Sequence, residues 1–122
     1  MSQHHKITIK LKRAYEEAAE DDGTRVLVDR IWPRGLSKER AHIDLWLKDI
    51  APSNELRKWF AHDPSRFSEF RQRYHQELTT SSRQEALHKL REMARQQKIT
   101  LIFSAHDTEH NNAVVLQDLL NE

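Results

Sequence analysis

Two short runs rich in apolar and β-branched residues constrain the fold of this chain more than any other feature of its sequence. RVLVD (residues 25–29) and ITLIF (residues 99–103) have the length and the β-branched content of strands that are buried on both faces. A long stretch with helical periodicity separates them. Because parallel strands need such a crossover, the two runs predict neighbouring strands in a largely parallel sheet with helices packed on it, an α/β fold.

The other extended segments give weaker signals. KITIKLK (residues 6–12) alternates apolar with polar residues, which predicts a half-buried strand. AYEEAAEDDGTR (residues 14–25) is predicted to form a polar, acidic loop. HIDLWLKDI (residues 42–50) fits both the alternation of a strand and one face of a helix, and we favour a short strand or extended segment.

Polar residues followed by apolar residues at helical spacing mark the expected helix starts. Ser37 is expected to cap a short turn over residues 38–41, and Ser53 and Asp63 are expected to cap two longer helices. The apolar faces of those two helices are Leu56, Trp59 and Phe60, and then Phe67, Phe70, Tyr74 and Leu78.

Two more helices are predicted toward the carboxyl end. Ser82 to Glu85 matches a capping box, so a third amphipathic helix is expected from there to about Gln97. Asp107 or Thr108 is expected to cap the last helix, whose apolar residues are Ala113, Val115, Leu116, Leu119 and Leu120.

Length and composition limit the classes of protein. The 122 residues fit a single domain, residues 1–122, with flexible ends at about residues 1–5 and 121–122. The formal net charge is only +1, so any site for an anion must be local. The sequence contains no cysteine and no apolar run of the about 18 residues that a membrane span needs, so we expect a cytoplasmic protein without membrane contact.

The bend that follows the first buried run, DRIWPRG (residues 29–35), is the first candidate binding segment. In parallel sheets the ligand crevice lies outside the carboxyl ends of the strands, where this bend is predicted to be. Arg30 and Arg34 carry donors that fit phosphate or carboxylate, Trp32 offers a flat apolar face, and Gly35 allows a close backbone approach. The alternative is structural: Trp32 lies in the core, Arg30 pairs with an acid, and the glycine only shapes a turn.

The bend after the second buried run, SAHDTEHNN (residues 104–112), is the other predicted wall of the crevice. Ser104, His106 and Asn112 are candidate binding residues here. The candidate proton handlers are Asp29, His106 and Asp107, since imidazole and carboxyl groups perform acid–base chemistry. A hydrolytic triad built from SAHD is disfavoured, because adjacent residues in one extended bend point in different directions.

Further basic residues and histidines leave alternatives open. Lys48, Arg57 and Lys58 either extend an anion site or lie across the rings of Trp46 and Trp59.

His106 and His110 stand four residues apart, but no third ligand accompanies them, so neither a metal site nor a cofactor is expected. If the initiator methionine is removed, His4 occupies the third position, where an imidazole and a free amine bind Cu(II) or Ni(II).

Three blocks of the sequence resemble a known family. VDRIWPRGLSKERA, DLWLKDIAPSNELRKWFAHDPSRFSEFRQRY and LIFSAHDTEHNNAVVLQDLL are similar to the YeaO-like family, a bacterial family of small proteins of unknown function. The resemblance extends from about Ile7 to Leu120 and implies a small cytosolic α/β protein, without implying a reaction. Family sequences often read NHA where this chain has Asn111, Asn112 and Ala113.

Three functional hypotheses follow. The first is a protein that binds a small anionic ligand, a nucleotide or a phosphorylated metabolite, in the strand-end crevice, with or without acid–base or hydrolytic activity. The second, which we do not favour, is a nucleic-acid-binding or regulatory module that uses the same arginines on phosphates. The third is a protein-interaction module with an exposed apolar patch around Trp46 or Trp59. A monomer or a weak homodimer is expected.

Overall fold

The computed structural model describes residues 9–121 of the chain, and within them a parallel four-stranded sheet forms the centre of the fold. The strands are β1 (Ile9–Arg13), β2 (Thr24–Leu27), β3 (Leu45–Trp46) and β4 (Ile99–Phe103). They lie in the order β1-β4-β2-β3, and every pair of neighbours is parallel. The prediction that the two apolar runs are parallel neighbours is confirmed, since Val26 lies beside Leu101.

Five α-helices accompany the sheet in the described part of the chain. They are α1 (Lys38–Ala41), α2 (Asn54–Phe60), α3 (Phe67–Glu77), α4 (Ser81–Gln96) and α5 (Asn112–Leu120). The parallel sheet and these helices confirm the α/β class predicted from the sequence.

Within residues 9–121, no helix is long and apolar enough to cross a membrane.

The two faces of the sheet are covered in different ways. Side chains from one face of β1, β2 and β4 share the main core with α2, α3, α4 and α5. On the opposite face, Leu27 and Ile102 pack against Trp32 and Trp46, whose rings meet edge to face with centroids 5.4 Å apart. The segment after β2 therefore acts as the cover of that face, which explains why its tryptophan is half-buried.

Most of the sequence-based helix starts are confirmed by their capping contacts. The Ser37 and Ser53 hydroxyls accept hydrogen bonds from the amides of Arg40 and Leu56. Asp63 caps a 3₁₀ turn (Pro64–Arg66) that leads directly into α3. The segment at residues 42–50 contains β3 and a second 3₁₀ turn (Lys48–Ile50), as expected for a short strand in an extended segment.

Two predicted caps are wrong. Helix α4 begins at Ser81 with Thr80 as its N-cap, and no side chain caps it. The Thr80 hydroxyl donates to the Glu77 carbonyl. Ser82 therefore lies within the first turn.

The last helix begins at Asn112, and its cap is Asn111, whose side chain accepts from the Val114 amide at 3.0 Å. Asp107 does not cap α5, since its carboxylate accepts from the amides of Glu109 and His110 in the preceding turn. Thr108 lies in that turn and does not cap α5 either.

Some predictions concern residues outside the described part of the chain. The predicted first strand starts at residue 6, and only its portion from Ile9 onward is described. His4 as a copper ligand and the flexible end at residues 1–5 lie outside the described residues.

The acidic segment before β2 contains a buried charge that the sequence did not predict. Its three consecutive acidic residues form a 3₁₀ turn (Glu20–Asp22), and Asp22 is fully buried. The Asp22 carboxylate accepts from Arg25 at 2.6 Å and from Lys10 and Lys12 at 3.1 and 3.2 Å. Arg25 is itself buried and also donates to the carbonyls of Ala41 and His42.

These contacts set the protonation of Asp22. Burial alone would raise the pKa of its carboxyl, but the hydrogen bonds from the Ala19 amide, Lys10, Arg25 and Lys12 outweigh burial and hold the pKa well below its usual range. An acid with a lowered folded-state pKa stabilises the fold above its unfolded pKa, and this stabilisation is lost as the pH falls through the folded-state pKa.

Asp22→Asn is therefore expected to lower the free energy of unfolding by about 3 kcal/mol at neutral pH, because buried Arg25 keeps its charge without a counterion. The loss should shrink below about pH 4, where the wild-type carboxyl begins to lose its advantage. Urea denaturation at several pH values measures both effects. Asp21→Asn, at an exposed carboxylate that also contacts Lys10, is the matched control and should change stability by less than about 1 kcal/mol. Equal losses in the two variants would contradict this account.

Candidate functional site

The carboxyl ends of β1, β2 and β4 open into a cavity of about 760 Å³, which we call the strand-end cavity. It is lined by Arg13, Tyr15, Asp29, Arg30, Ile31, Trp32, Arg34, Pro52, Arg57, Phe60, His62, Phe70, Ser104, Ala105, His106, His110, Asn111 and Asn112. The volume lies in the range of about 300 to 1,000 Å³ that is usual for small-molecule sites. The segments after three parallel strands therefore meet at one concave surface.

Most of the residues proposed from the sequence line this cavity. They are Arg30, Trp32, Arg34, Ser104, His106 and Asn112 among the candidate ligand contacts, and Asp29 and His106 among the candidate proton handlers. Gly35 has a positive φ of 76°, as a turn glycine can have, but it does not line the cavity. Asp107 is also absent from the lining, since its carboxylate is engaged in its own turn.

Asp29 joins the two bends at the floor of the strand-end cavity. Its Oδ2 accepts from both the amide and the hydroxyl of Ser104, at 2.9 and 2.8 Å. Its Oδ1 accepts from the Asn112 side chain at 3.1 Å, and the same amide group donates to the Val28 carbonyl at 3.0 Å. A single carboxylate thus fixes the end of β2 against the end of β4 and the start of α5.

The environment of Asp29 favours its neutral form more than water would. Burial raises the pKa of the Asp29 carboxyl, and the hydrogen bonds from Ser104 and Asn112 offset part of that rise. Because Ser104 donates its hydroxyl to Asp29, that hydroxyl is not hydrogen-bonded to His106. The arrangement does not form the serine–histidine pair that hydrolysis by SAHD would need.

Four arginines line the strand-end cavity, on three different segments of the chain. Arg30 and Arg34 come from the bend after β2, Arg13 ends β1, and Arg57 lies on α2. Among the described residues, no carboxylate forms an ion pair with any of them, whereas Arg25, Arg66, Arg71, Arg73 and Arg95 each pair with an acid elsewhere. The alternative that Arg30 pairs with an acid is thus not realised within residues 9–121.

Arg13 and Tyr15 were not singled out in the sequence. Arg13 donates to the Ala105 and Ser104 carbonyls, at 2.8 and 3.2 Å, and its guanidinium forms no ion pair with a described carboxylate. Tyr15 donates its hydroxyl to the Arg34 carbonyl at 2.9 Å, which ties the loop after β1 to the bend after β2. Arg13 could have been predicted to line the site, because it ends β1. The carboxyl end of that parallel strand lies at the same edge of the sheet as those of β2 and β4.

The turn after α2 brings His62 to the cavity, another residue that the sequence analysis did not single out. Ala61 and His62 both have positive φ angles, 49° and 58°, so the chain reverses sharply as the helix ends. Phe60, just before them, stacks on Phe70 with ring centroids 4.4 Å apart. No motif marks His62, since its position depends on this turn.

The other basic candidates differ in their contacts: Lys48 lies across a tryptophan ring, whereas Lys58 has no such cation–π contact among the described residues. Lys48 lies over the Trp46 ring at 4.0 Å, while Arg73 and Arg66 lie over the Trp59 ring at 4.3 and 5.4 Å. Both rings are half-buried under these cations, so neither forms an exposed apolar patch.

His110 contacts Asp107 at 2.9 Å and the ring of Phe67. Residues 9–121 contain no cluster of three or more His, Cys, Asp or Glu side chains that could hold a metal ion.

Fold and site together define a small parallel α/β protein with a basic cavity at its strand ends. The chain belongs to the DUF488-N3i family, described as the inactive DUF488-N3 subclade, which matches residues 8–122. It is 43% identical over 113 residues to the uncharacterized protein Rv3073c of Mycobacterium tuberculosis H37Rv, covering 93% of both chains.

It is also 41% identical over 114 residues to the uncharacterized protein YeaO of Escherichia coli K12, covering 93% of this chain and 97% of YeaO. No solved structure matches the chain. The resemblance to the YeaO-like family is confirmed.

Two of the candidate proton handlers, Asp29 and Asp107, should titrate on opposite sides of the ordinary aspartate value of 3.8. Burial raises the pKa of Asp29, while the Glu109 amide, with a further contribution from His110, lowers the pKa of Asp107. ¹³C NMR titration of the side-chain carboxyls measures both in one sample. Because the folded state holds the Asp29 proton more tightly than the unfolded state, stability should decrease as the pH rises through that pKa.

Asn112→Ala removes one donor to Asp29 and should raise its pKa further, leaving that of Asp107 unchanged. An Asp29 carboxyl that titrates at or below Asp107, or whose pKa falls in Asn112→Ala, would contradict the assignment of Asp29 as the buried floor of the cavity.

Proposed function

We propose that this protein binds a small anionic ligand, a nucleotide or a phosphorylated metabolite, in the strand-end cavity and does not turn it over. The observation that carries the proposal is the set of four arginines, Arg13, Arg30, Arg34 and Arg57, which line one cavity without a carboxylate partner among the described residues. A guanidinium group offers paired donors that match the oxygens of a phosphate.

The local charge balance supports an anion. The whole chain carries a formal charge of only +1, yet the cavity gathers these four arginines around a single acidic side chain, Asp29. Both oxygens of that carboxylate accept hydrogen bonds from Ser104 and Asn112 rather than from an arginine. A cavity with low-dielectric walls concentrates the field of such uncompensated charges, which favours a bound anion.

The start of α5 adds to the same field. Asn111 and Asn112, its cap and first residue, line the cavity, so the positive end of the helix dipole lies at the wall. Three histidines, His62, His106 and His110, also line it, and each adds positive charge when protonated.

Two of the three candidate proton handlers fit binding without turnover better than catalysis. Asp29 is occupied by its two partners, and the Ser104 hydroxyl is used as a donor to it. Asp107 serves its own turn, and a lowered pKa suits it to that role rather than to accepting a proton at neutral pH. The description of the subclade as inactive agrees with this proposal.

A thermal-shift series tests the proposal. Inorganic phosphate, ribose 5-phosphate and glucose 6-phosphate should each raise the melting temperature in a saturable way, whereas ribose and glucose should not, because the arginines recognise the phosphate. The double variant Arg30→Ala/Arg34→Ala should lose most of this shift, while its own melting temperature without ligand stays close to the wild-type value, since both side chains are exposed.

Arg40→Ala is the matched control, because Arg40 is an exposed arginine that lies outside the cavity lining. It should retain the full ligand-induced shift. The proposal fails if no phosphorylated compound raises the melting temperature, or if Arg40→Ala lowers the shift as much as the double variant does.

A further inference from the structure

The strand-end cavity has an apolar side as well as a charged one. Among the described residues, the two large hydrophobic side chains that stay exposed are Tyr15, at 45%, and Ile31, at 55%, and both line this cavity. Exposed apolar surface that is concentrated at a binding cavity marks a place where a ligand or partner covers it. Together with Trp32, which lies next to Ile31 in the lining, they form what we call the apolar wall.

The Tyr15 ring is held in place before any ligand arrives. Its hydroxyl is anchored on the Arg34 carbonyl at 2.9 Å, and the Arg13 guanidinium carbon lies 5.2 Å from its ring centroid. A side chain fixed at two points loses little conformational entropy when a ligand covers it. Tyr15 is therefore a ready surface for stacking rather than a mobile side chain.

Trp32 is fixed in the same way on the other part of the wall. Its indole nitrogen donates to the Leu36 carbonyl at 2.6 Å, and its ring packs edge to face on Trp46. The wall therefore combines two anchored aromatic rings with one aliphatic side chain, a surface that suits a flat aromatic group.

Arg13 places positive charge directly beside this wall. Its guanidinium lies over the Tyr15 ring and donates to the Ser104 and Ala105 carbonyls at the floor. Arg34 belongs to the lining as well, and its own carbonyl holds the tyrosine hydroxyl. A ligand that satisfies both features carries a flat ring and an anionic group within one small molecule.

Resting on the proposed function, we infer that the ligand is a nucleoside phosphate whose base covers the apolar wall of Tyr15, Ile31 and Trp32 while its phosphate contacts the arginines. A phosphorylated sugar without a base would leave the wall exposed to water. A nucleic-acid strand requires cations that follow a backbone along a groove, whereas these arginines line one bounded cavity of about 760 Å³. A mononucleotide therefore fits this cavity better than a phosphorylated sugar or a nucleic-acid strand does.

Isothermal titration calorimetry separates the two parts of the ligand. AMP, CMP, GMP and UMP are compared with ribose 5-phosphate, which has the same sugar and phosphate without the base. At least one nucleotide should bind about tenfold or more tightly than ribose 5-phosphate, since stacking of a base on an aromatic side chain is worth about a factor of ten in affinity.

Two substitutions at one position test the wall itself. Tyr15→Leu removes the aromatic ring and should weaken binding of the preferred nucleotide about tenfold more than it weakens binding of ribose 5-phosphate. Tyr15→Phe keeps the ring and loses only the hydrogen bond to the Arg34 carbonyl, so it should retain most of the preference. Because Tyr15 is exposed, both variants are expected to fold, and circular dichroism checks that they do.

The outcomes distinguish this inference from the function on which it rests. If all four nucleotides bind no more tightly than ribose 5-phosphate, or if Tyr15→Leu weakens both classes of ligand equally, the nucleotide assignment is wrong while anion binding stands. If neither the nucleotides nor ribose 5-phosphate bind, the proposed function itself is wrong. A single-stranded oligonucleotide that binds more tightly than every mononucleotide would also overturn the assignment.

Discussion

The hydrogen-bonded carboxylate of Asp29 is the contact on which the arrangement of the site depends. It lies just after β2 and accepts from Ser104, just after β4, and from Asn112, at the start of α5. These groups are far apart in sequence, and the parallel pairing of β2 with β4 brings them together. Once they meet, both carboxylate oxygens are occupied, and burial of the group becomes tolerable because its acceptors are satisfied.

The positive charge of the strand-end cavity follows from the way in which Asp29 is hydrogen-bonded. With its oxygens directed at Ser104 and Asn112, the acid does not pair with the arginines of the lining, and the proposed anion binding rests on this feature. At the opposite end of β2 the fold does the reverse, since the buried carboxylate of Asp22 pairs with Arg25, Lys10 and Lys12. Asp22 pairs with cations beside the sheet, whereas Asp29 joins the ends of β2 and β4 and leaves the lining arginines without a carboxylate partner among the described residues.

The sequence predicted the sheet and the position of the site because those depend on local signals and on the geometry of parallel strands. The N-cap of α2 was also predicted correctly, because Ser53 stands immediately before that helix. Ser82 and Asp107 were assigned wrongly because several capping residues stand close together, and the choice between them depends on the preceding turn. Burial of Asp22 and the approach of His62 depend on tertiary contacts that no short pattern records.

The central claim is that the strand-end cavity is the ligand site, and ¹H–¹⁵N NMR during a titration with AMP tests it most directly. Observation of both backbone amides and arginine Nε–H groups reports on the floor and on the charged lining together. The account predicts saturable shifts at Ser104, Ala105 and Asn112, and at the side chains of Arg13, Arg30 and Arg34. Shifts confined to the groove between α3 and α4, around His75 and His88, or the absence of any saturable shift, would contradict it.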